Sequence, residues 1–240
     1  MKKLSIIIPA FNEERSIGKL LDIVISVPTE TAGFMKEIIV VDDGSTDRTS
    51  EIAMRYDQVR CLRQENQGKG RAVQRGVRES TGDFILVQDA DLEYDPKDYI
   101  VMLQAATNED VAVYGSRVLG QQLQRKRRSL FWGRHPEQEL GPWIAGVLLS
   151  IITLVLYGRW ISDTLTAYKL YPAAVLKSFS IKTRGFETDH EITAKLIRKG
   201  LRIVEVPVSY HPRSVEEGKK IRARDGLIAV GTLLRFRVSS

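Results

Sequence analysis

The stretch GDFILVQDADLEYDP, residues 82–96, carries the pattern that decides the fold. Its apolar run FILV is typical of a buried strand, and it leads into four carboxylates within seven positions. Three further β-rich runs in the first half, LSIIIP, EIIVVDD and VRCLRQ, alternate with amphipathic runs of helical period. This alternation predicts βαβ units, and therefore an α/β fold with a mainly parallel central sheet flanked by helices.

Polar motifs stand where the predicted strands end. PAFNEE follows the first strand, DDGSTD follows the second and DADLE follows the fourth. The ligand crevice of an open α/β sheet lies beyond the carboxyl ends of its strands. We therefore expect one site to collect all three motifs.

The DADLE motif, residues 89–93, has the chemistry of a divalent-cation site. Side chains at i and i+2 of an extended segment point the same way, so Asp89 and Asp91 can face one point. Two carboxylates suit Mg²⁺ or Mn²⁺, which commonly takes its remaining ligands from substrate phosphates and water. A solvated acidic loop that caps the next helix is the alternative interpretation.

The other two motifs carry groups that can bind a nucleoside. Asp42 ends the second strand and can bind the polar edge of a base or a ribose. Phe11 can flank a base, while Asn12 and Glu13 can form hydrogen bonds with the ribose or the base. A tight turn in DDGSTD and a plain helix start in PAFNEE are the structural alternatives.

The segment NQGKGRAVQRG, residues 66–76, is not a dinucleotide fingerprint, because Val73 stands where the third glycine belongs. It predicts a glycine pair that opens a helix, with Lys69 and Arg71 near the amino end. A helix amino terminus favours anions, so the segment can bind a phosphate, although a plain turn explains it equally well.

Length and composition are those of one globular domain spanning residues 1–240, with 43% hydrophobic and 28% charged residues. The 36 basic and 30 acidic residues give a net charge of +6, which favours anionic partners without choosing among them. The lone Cys61 permits no internal disulfide, which favours a reducing compartment. Nucleic acid is not an expected partner, because the sequence has no aromatic-interleaved basic sheet or recognition-helix pattern.

The pattern changes after about residue 117. A basic run, RKRR at 125–128, precedes LGPWIAGVLLSIITLVLYG at 140–158, which lacks charge but is diluted by glycine, proline, serine and threonine. A membrane-spanning helix needs about 20 predominantly apolar residues, so this segment is more typical of a buried or interfacial helix. With the amphipathic tail, this segment predicts a peripheral protein on the inner, cytoplasmic face of a membrane, with a core helix as the alternative.

Five motifs in register resemble those of family 2 glycosyltransferases of the GT-A fold: SIIIPAFNEE, IIVVDDGSTDRT, NQGKGRAVQRG, GDFILVQDADLEYDP and GSR. The set resembles the branch that includes dolichyl-phosphate mannose synthase and other polyprenyl-phosphate glycosyltransferases. The resemblance covers residues 4–117 strongly, and later rests on GFETDHEI, VEVPVSY and EGKKI. It implies a nucleotide-sugar-binding half at 1–117 and an acceptor-binding half at 118–240.

The resemblance implies sugar transfer with inversion from a nucleotide-diphosphate sugar, with Mg²⁺ or Mn²⁺ at the DAD motif. Asp89 and Asp91 would meet the metal and diphosphate, and Glu93, where relatives often carry glutamine, would add a metal ligand. The nucleoside would be held by Pro9, Phe11, Asn12, Glu13 and Asp42. Further donor contacts would come from Lys69 and from Lys219 and Lys220 in a basic loop. Lys or Arg beside a departing diphosphate stabilises the charge that develops there.

The resemblance also implies a polyprenyl (undecaprenyl or dolichyl) phosphate as the acceptor. A phosphate monoester with a second pKa near ~6 is mostly dianionic at neutral pH, so it needs cations more than a base. Arg117, Arg125 and Ser129 are the expected phosphate-binding residues. The alternative is a same-fold enzyme acting on a carbohydrate or glycolipid hydroxyl, with Asp189 or Glu191 as base.

The sequence departs from the family pattern at two further positions. Phe11 replaces a frequent tyrosine, and Ala167 in DTLTAYKLY stands where a glycine usually precedes the aromatic residue. No transmembrane segments follow the catalytic region, so we expect the protein to act at the membrane alone or with a separate membrane partner. Asp91, Arg117 and Lys220 are the residues expected to contribute most directly to catalysis.

Overall fold

The computed structural model describes residues 1–124, 140–212 and 223–238. The strands in these ranges are β1 (Lys2–Ala10), β2 (Phe34–Asp42), β3 (Val59–Arg63), β4 (Phe84–Val87), β5 (Val111–Ser116), β6 (Lys169–Pro172) and β7 (Arg202–Pro207). The α-helices are α1 (Ile17–Ser26), α2 (Thr49–Ala53), α3 (Lys69–Glu79), α4 (Tyr99–Ala105), α5 (Arg117–Gln124), α6 (Leu140–Tyr157), α7 (Ala173–Lys177), α8 (Thr188–Arg198) and α9 (Ala223–Val238).

The described strands form one sheet in the order β3-β2-β1-β4-β6-β5-β7. All neighbouring strands run parallel except β6, which is antiparallel to both β4 and β5. The predicted α/β fold with a mainly parallel sheet is confirmed. The sequence pattern does not predict β6, whose four residues include a buried lysine.

Successive residues of the central strands pack into two cores on opposite faces of the sheet. Ile6 and Ile8 of β1 pack with α1 and α4, whereas Ile7 packs with α3, α7 and α8. Because both faces are covered, the strands are continuous apolar runs rather than alternating ones. A third, smaller core joins α6, α8 and α9 around Leu233 and Phe236.

Helix α3 begins where the sequence pattern predicts, whereas helix α1 begins later. α3 begins at Lys69, at the glycine pair as predicted, but α1 begins at Ile17, beyond PAFNEE rather than within it as the alternative interpretation has it. The backbone N–H groups of Asn12 and Glu13 instead donate to the hydroxyls of Ser45 and Thr49, at 3.0 and 2.8 Å. These contacts hold the PAFNEE segment against the neighbouring strand end and delay the helix.

The glycine pair before and within α3 has two separate structural roles. Gly68 has φ +95°, which disfavours residues with a side chain. A Cβ on Gly70 would lie 2.1 Å from the Thr188 hydroxyl oxygen, so only glycine lets α3 approach the segment that leads into α8. The pair therefore fixes the amino end of α3 at the carboxyl edge of the sheet.

The apolar segment 140–158 forms a helix, as expected, over Leu140–Tyr157. It packs against α8 and α9 on one side, and residues such as Leu148 and Val155 are exposed on the other. Within the described ranges, no helix has both the length and the apolarity that crossing a bilayer would require.

Candidate active site

The motifs after β1 and β2 lie together at the carboxyl edge of the sheet. The Asn12 side-chain oxygen accepts a hydrogen bond from the Thr46 backbone N–H at 2.9 Å, in addition to the amide contacts described above. Asn12 has φ +53°, an uncommon conformation for a residue with a side chain. Such backbone strain clusters at functional sites, where surrounding contacts maintain it.

The proposed nucleoside residues differ in how much of their surface is available. Phe11 and Asn12 are exposed, and Pro9 and Glu13 are half-buried. Asp42 is completely buried; its carboxylate accepts hydrogen bonds from the Ser45 backbone N–H at 2.9 Å and from the Ser50 hydroxyl. Its contacts within the protein therefore shape the turn that follows β2.

The carboxylates after β4 meet a positive side chain from α3. Lys69 Nζ lies 2.6 Å from Asp89 Oδ1, and both side chains are largely buried. Burial alone would lower the pKa of Lys69, but Asp89, Asp189 and Asp91 outweigh it and raise that pKa above its ordinary value. Lys69 therefore remains charged and neutralises part of the negative charge that the DADLE motif concentrates.

Gln88 fixes the backbone at the start of the DADLE motif. The side chain is buried, and its Oε1 accepts hydrogen bonds from the hydroxyls of Tyr99 and Tyr168, at 2.7 and 2.6 Å. Its Nε2 donates to the carbonyl oxygen of Asp89 at 2.9 Å. A satisfied buried network of this kind limits the positions that Asp89 can adopt.

A strained turn follows between Asp91 and Glu93. Leu92 has φ +63°, and Asp91 Oδ1 accepts a hydrogen bond from the Glu93 backbone N–H at 3.1 Å. Glu93 Oε2 accepts one from the Tyr210 hydroxyl at 2.9 Å. Burial, with the Glu93 carboxylate nearby, raises the pKa of Tyr210, so its hydroxyl keeps the proton that it donates.

Arg117, directly after β5, is held by a carboxylate that the sequence pattern did not indicate. Its Nε and Nη2 each donate to Asp163 at 2.7 Å, and its backbone N–H donates to the same carboxylate at 3.0 Å. Although burial acts to raise the pKa of Asp163, Arg117 lowers it below its usual range. Glu205 accepts hydrogen bonds from the backbone N–H groups of Ser162 and Asp163, which fixes this segment.

The two carboxylates proposed as a base have different surroundings. Asp189 lies 3.8 Å from Nζ of Lys169, a buried lysine whose pKa burial lowers. Glu191 is completely buried and accepts hydrogen bonds from the backbone of Lys182 and Thr183 and from Lys195 Nζ. Burial acts to raise the pKa of Glu191, but these donors hold it below the ordinary value, which makes it a weaker base.

Four predicted site residues lie outside the described part of the chain: Arg125, Ser129, Lys219 and Lys220.

The residues after β4 could hold a divalent cation that takes its remaining ligands from a substrate and from water. Among the described residues, no three histidine, cysteine or acidic side chains converge as a complete cation site. Mg²⁺ is commonly bound by one or two carboxylates together with substrate phosphates and water, which is the number that Asp89 and Asp91 supply. The third carboxylate of the motif, Glu93, accepts a hydrogen bond at Oε2 from the Tyr210 hydroxyl.

Sequence reasoning missed three residues that shape this site: Asp163, Lys169 and Tyr210. Asp163 and Lys169 lie in DTLTAYKLY, where Ala167 departs from the family pattern but neither charged residue gives a signal of its role. Tyr210 lies in VEVPVSY, and its aromatic ring packs 4.8 Å from the Arg117 guanidinium carbon. Each depends on a contact between residues distant in sequence.

The profile described as Glycosyl transferase family 2 matches residues 5–152. The chain belongs to this family. A dolichyl-phosphate beta-glucosyltransferase from Saccharomyces cerevisiae is 31% identical over 265 residues, covering 98% of this chain and 74% of that protein. The family assignment predicted from the five motifs is thereby confirmed, and this family 2 protein is a glycosyltransferase.

Solved structures of one enzyme share its fold. Glucosyl-3-phosphoglycerate synthase from Mycobacterium tuberculosis, in complex with Mn²⁺, UDP and phosphoglyceric acid, has a TM-score of 0.71 at 20% identity, covering 100% of this chain and 80% of that one. A complex of the same enzyme with Mn²⁺, UDP-glucose and phosphoglyceric acid has a TM-score of 0.68 at 19% identity, covering 98% and 80% of the two chains. The predicted GT-A fold is confirmed.

Proposed function

We propose that this family 2 glycosyltransferase transfers glucose from UDP-glucose to a polyprenyl phosphate, with inversion and with Mg²⁺ or Mn²⁺ as cofactor. One juxtaposition carries the proposal. At the carboxyl edge of the sheet, Lys69 pairs with Asp89 after β4, and Asp163 holds Arg117 directly after β5. We assign the first pair to the donor and Arg117 to the acceptor. The yeast relative acts on a dolichyl phosphate, and the structural neighbour binds UDP-glucose with Mn²⁺, which supports this choice of substrates.

On the donor side, Asp89 and Asp91 would hold the cation, which when bound supplies positive charge to the diphosphate leaving group. Lys69 is already within hydrogen-bonding distance of Asp89, so its ammonium group can turn to a phosphate oxygen while it stays beside the carboxylates. Positive groups fixed at the place where charge develops stabilise the transition state. Phe11, Asn12 and Glu13, with Pro9 and Asp42 beneath them, would contact the nucleoside.

On the acceptor side, Arg117 would orient the phosphate that attacks the sugar. Asp163 uses Nε and Nη2 of the guanidinium group, which fixes the plane of that group before substrate arrives. The acceptor phosphate is mostly dianionic at neutral pH, so the attacking oxygen needs no base to remove a proton. Arg125 and Ser129 would complete this phosphate site, and Lys219 and Lys220 would approach the donor.

A hydroxyl acceptor would need a base in the same place. Glu191 is engaged by two backbone N–H groups and by Lys195, so Asp189 is the remaining candidate of the two. We propose the phosphate acceptor because the site presents an arginine held in fixed geometry on that side.

We further propose that the enzyme works on the inner, cytoplasmic face of the membrane, alone or with a separate membrane partner. α6 and α9 pack together. We assign a set of exposed apolar side chains on the two helices to one membrane-facing surface and call it the α6–α9 surface. Its exposed members are Ile144, Leu148, Ile151, Val155, Leu227, Ile228, Leu234 and Val238. Arg235 and Arg237 in the last turn of α9 add positive charge, and a basic residue near an anionic bilayer contributes about 1 kcal/mol.

Binding to vesicles tests the membrane proposal. Replacing Leu148 and Val155 with Gln should reduce co-sedimentation with phosphatidylglycerol vesicles without changing the unfolding temperature, because both side chains are exposed. Equal sedimentation of the variant and the parent protein would contradict a role for the α6–α9 surface.

The proposed reaction is tested by incubating the protein with labelled UDP-glucose, Mn²⁺ and undecaprenyl or dolichyl phosphate. We expect label on the lipid, with the anomeric configuration inverted relative to the donor when the product is analysed by NMR. Arg117→Ala should abolish transfer, Asp91→Ala should weaken UDP binding far more with Mn²⁺ than with EDTA, and Asp189→Asn should retain most transfer. A parallel incubation replaces the lipid phosphate with carbohydrate or glycolipid hydroxyl acceptors. Label found only on a hydroxyl acceptor, and lost in Asp189→Asn, would support the hydroxyl reaction instead.

A further inference from the structure

Tyr210, three residues beyond β7, is joined to the DADLE loop by several contacts. Its hydroxyl donates to Glu93 Oε2 at 2.9 Å, and the next backbone N–H, from His211, donates to the Glu93 carbonyl oxygen at 2.8 Å. Tyr210 also forms an isolated antiparallel bridge with Tyr94, and their rings lie 5.3 Å apart. These contacts attach the residues after β7 to the turn that carries Asp91.

The same tyrosine contacts the acceptor side of the site through its ring. The Arg117 guanidinium carbon lies 4.8 Å from the centre of the ring. Asp163 holds the guanidinium group by its Nε and Nη2 edge, so the ring and the carboxylate together fix both the plane and the direction of that group. Tyr210 is thus in contact with the donor-side turn and with Arg117 at once.

We propose that Tyr210 is a positioning residue that holds the Asp91–Glu93 turn through its hydroxyl and Arg117 through its ring. The inference rests on the proposed function, in which Asp91 serves the cation and diphosphate and Arg117 serves the acceptor phosphate. Glu93 then acts on the cation indirectly, as the group that ties the turn to Tyr210, rather than as a metal ligand. The left-handed backbone of Leu92, at φ +63°, is a conformation that surrounding contacts must maintain.

The two parts of the tyrosine can be tested separately. Tyr210→Phe removes the hydroxyl and keeps the ring, so it should weaken Mn²⁺ binding in the presence of UDP by about 10-fold or more, as loss of a group that orients a metal ligand does. It should leave UDP binding in EDTA and the KM for polyprenyl phosphate unchanged. Tyr210→Leu removes the ring as well, and should additionally raise the KM for polyprenyl phosphate by roughly 3- to 10-fold.

A matched control exists in the same chain. The Tyr56 hydroxyl donates to Asp22 Oδ1 at 2.9 Å, the same chemistry as the Tyr210 contact, but Asp22 lies on α1 outside the site. Tyr56→Phe should leave Mn²⁺ and UDP binding unchanged. Glu93→Ala should weaken Mn²⁺ binding no further when it is made in the Tyr210→Phe background, because both substitutions remove the same hydrogen bond.

Titration calorimetry of Mn²⁺ with UDP present is the deciding measurement, with the unfolding temperature recorded for each variant. Equal Mn²⁺ binding by Tyr210→Phe and the parent would overturn the proposal, and a large further loss from Glu93→Ala in the Tyr210→Phe background would make Glu93 a ligand. A parent protein that binds Mn²⁺ and UDP but transfers no sugar to a lipid phosphate would overturn the proposed acceptor. The conclusion about the Tyr210 hydroxyl and Mn²⁺ binding would not be affected. If Tyr210→Leu does not fold, Tyr210→Phe alone decides the hydroxyl's role.

Discussion

Ion pairs at the carboxyl edge of the sheet and ion pairs on the outer surface use the same chemical groups in different surroundings. The Arg117 and Asp163 side chains are 19% and 5% exposed, whereas Arg55 and Glu51, beside α2, are 63% and 57% exposed. An exposed pair contributes about 0–1 kcal/mol to stability. A buried pair carries a desolvation penalty that its attraction often only offsets, so hydrophobic residues would serve stability at least as well.

Three of the buried pairs are therefore better explained by function than by stability. Lys69 with Asp89, Arg117 with Asp163 and Lys169 with Asp189 all involve residues at or near the carboxyl edge of the sheet. Charge fixed in a partly water-excluded place binds anionic substrates more strongly than the same charge in water. The outer pairs have no such role, and substitutions at the two kinds of pair should behave differently.

The largest difference is expected for Asp163→Asn, which leaves Arg117 buried without its carboxylate. The free energy of unfolding should fall by about 3 kcal/mol, as when one partner of a buried pair is removed. Transfer to polyprenyl phosphate should fall with it, because Arg117 loses its fixed direction. Urea denaturation and the lipid transfer assay measure these effects. A loss of stability below about 1 kcal/mol would mean that the Arg117–Asp163 pair contributes no more than an exposed pair does.

A medium effect is expected from pH. Burial, and secondly Lys169, lowers the pKa of His190 to about 3. The folded pKa lies below the unfolded one, so the neutral imidazole contributes stability above pH 6.5 that is lost as pH falls toward 3. Between pH 7 and 4.5 the loss should be roughly 2 to 3 kcal/mol, somewhat less than the loss expected for Asp163→Asn. His190→Leu should flatten the fall in unfolding free energy between pH 7 and 4.5, as measured by urea denaturation at each pH. A fall as steep in His190→Leu as in the parent protein would contradict this explanation.

The smallest effect is expected for Glu51→Gln, which makes the same kind of change at an exposed pair. Unfolding free energy should change by less than about 0.5 kcal/mol, since solvent screens the interaction. Sugar transfer should match that of the parent protein, because Glu51 lies on α2, away from Asp89 and Arg117. A loss as large as that of Asp163→Asn would remove the distinction between the two kinds of pair.

Much of the first half of the fold can be predicted from the sequence. The apolar runs of β1, β2 and β4 and the start of α3 at Lys69 follow from local composition and period, because both faces of these strands are buried. β6 could not be predicted in this way. Its four residues form a strand because β4 and β5 bind it on either side, and that depends on partners distant in sequence.

The residues of the candidate site also divide into those that the local sequence predicts and those that depend on distant partners. That Asp42, Asp89 and Asp91 would stand at strand ends could be predicted, since Asp42 directly follows an apolar run and Asp89 and Asp91 come shortly after FILV. That Glu191 would be engaged by the Lys182 and Thr183 backbone could not, because the helix-start pattern says nothing of the loop that folds back over it. Asp163 gave no signal of its own.

The class of fold, the family and the position of carboxylates at the carboxyl ends of strands all follow from the amino-acid sequence, because they depend on patterns within short segments. Three contacts are visible only in the folded chain: Lys69 pairs with Asp89, Arg117 binds a residue 46 positions away, and Tyr210 binds Glu93 at a separation of 117 positions. Such partners are set by the order of strands in the sheet, above all by β6 between β4 and β5. Local periodicity carries no information about that order.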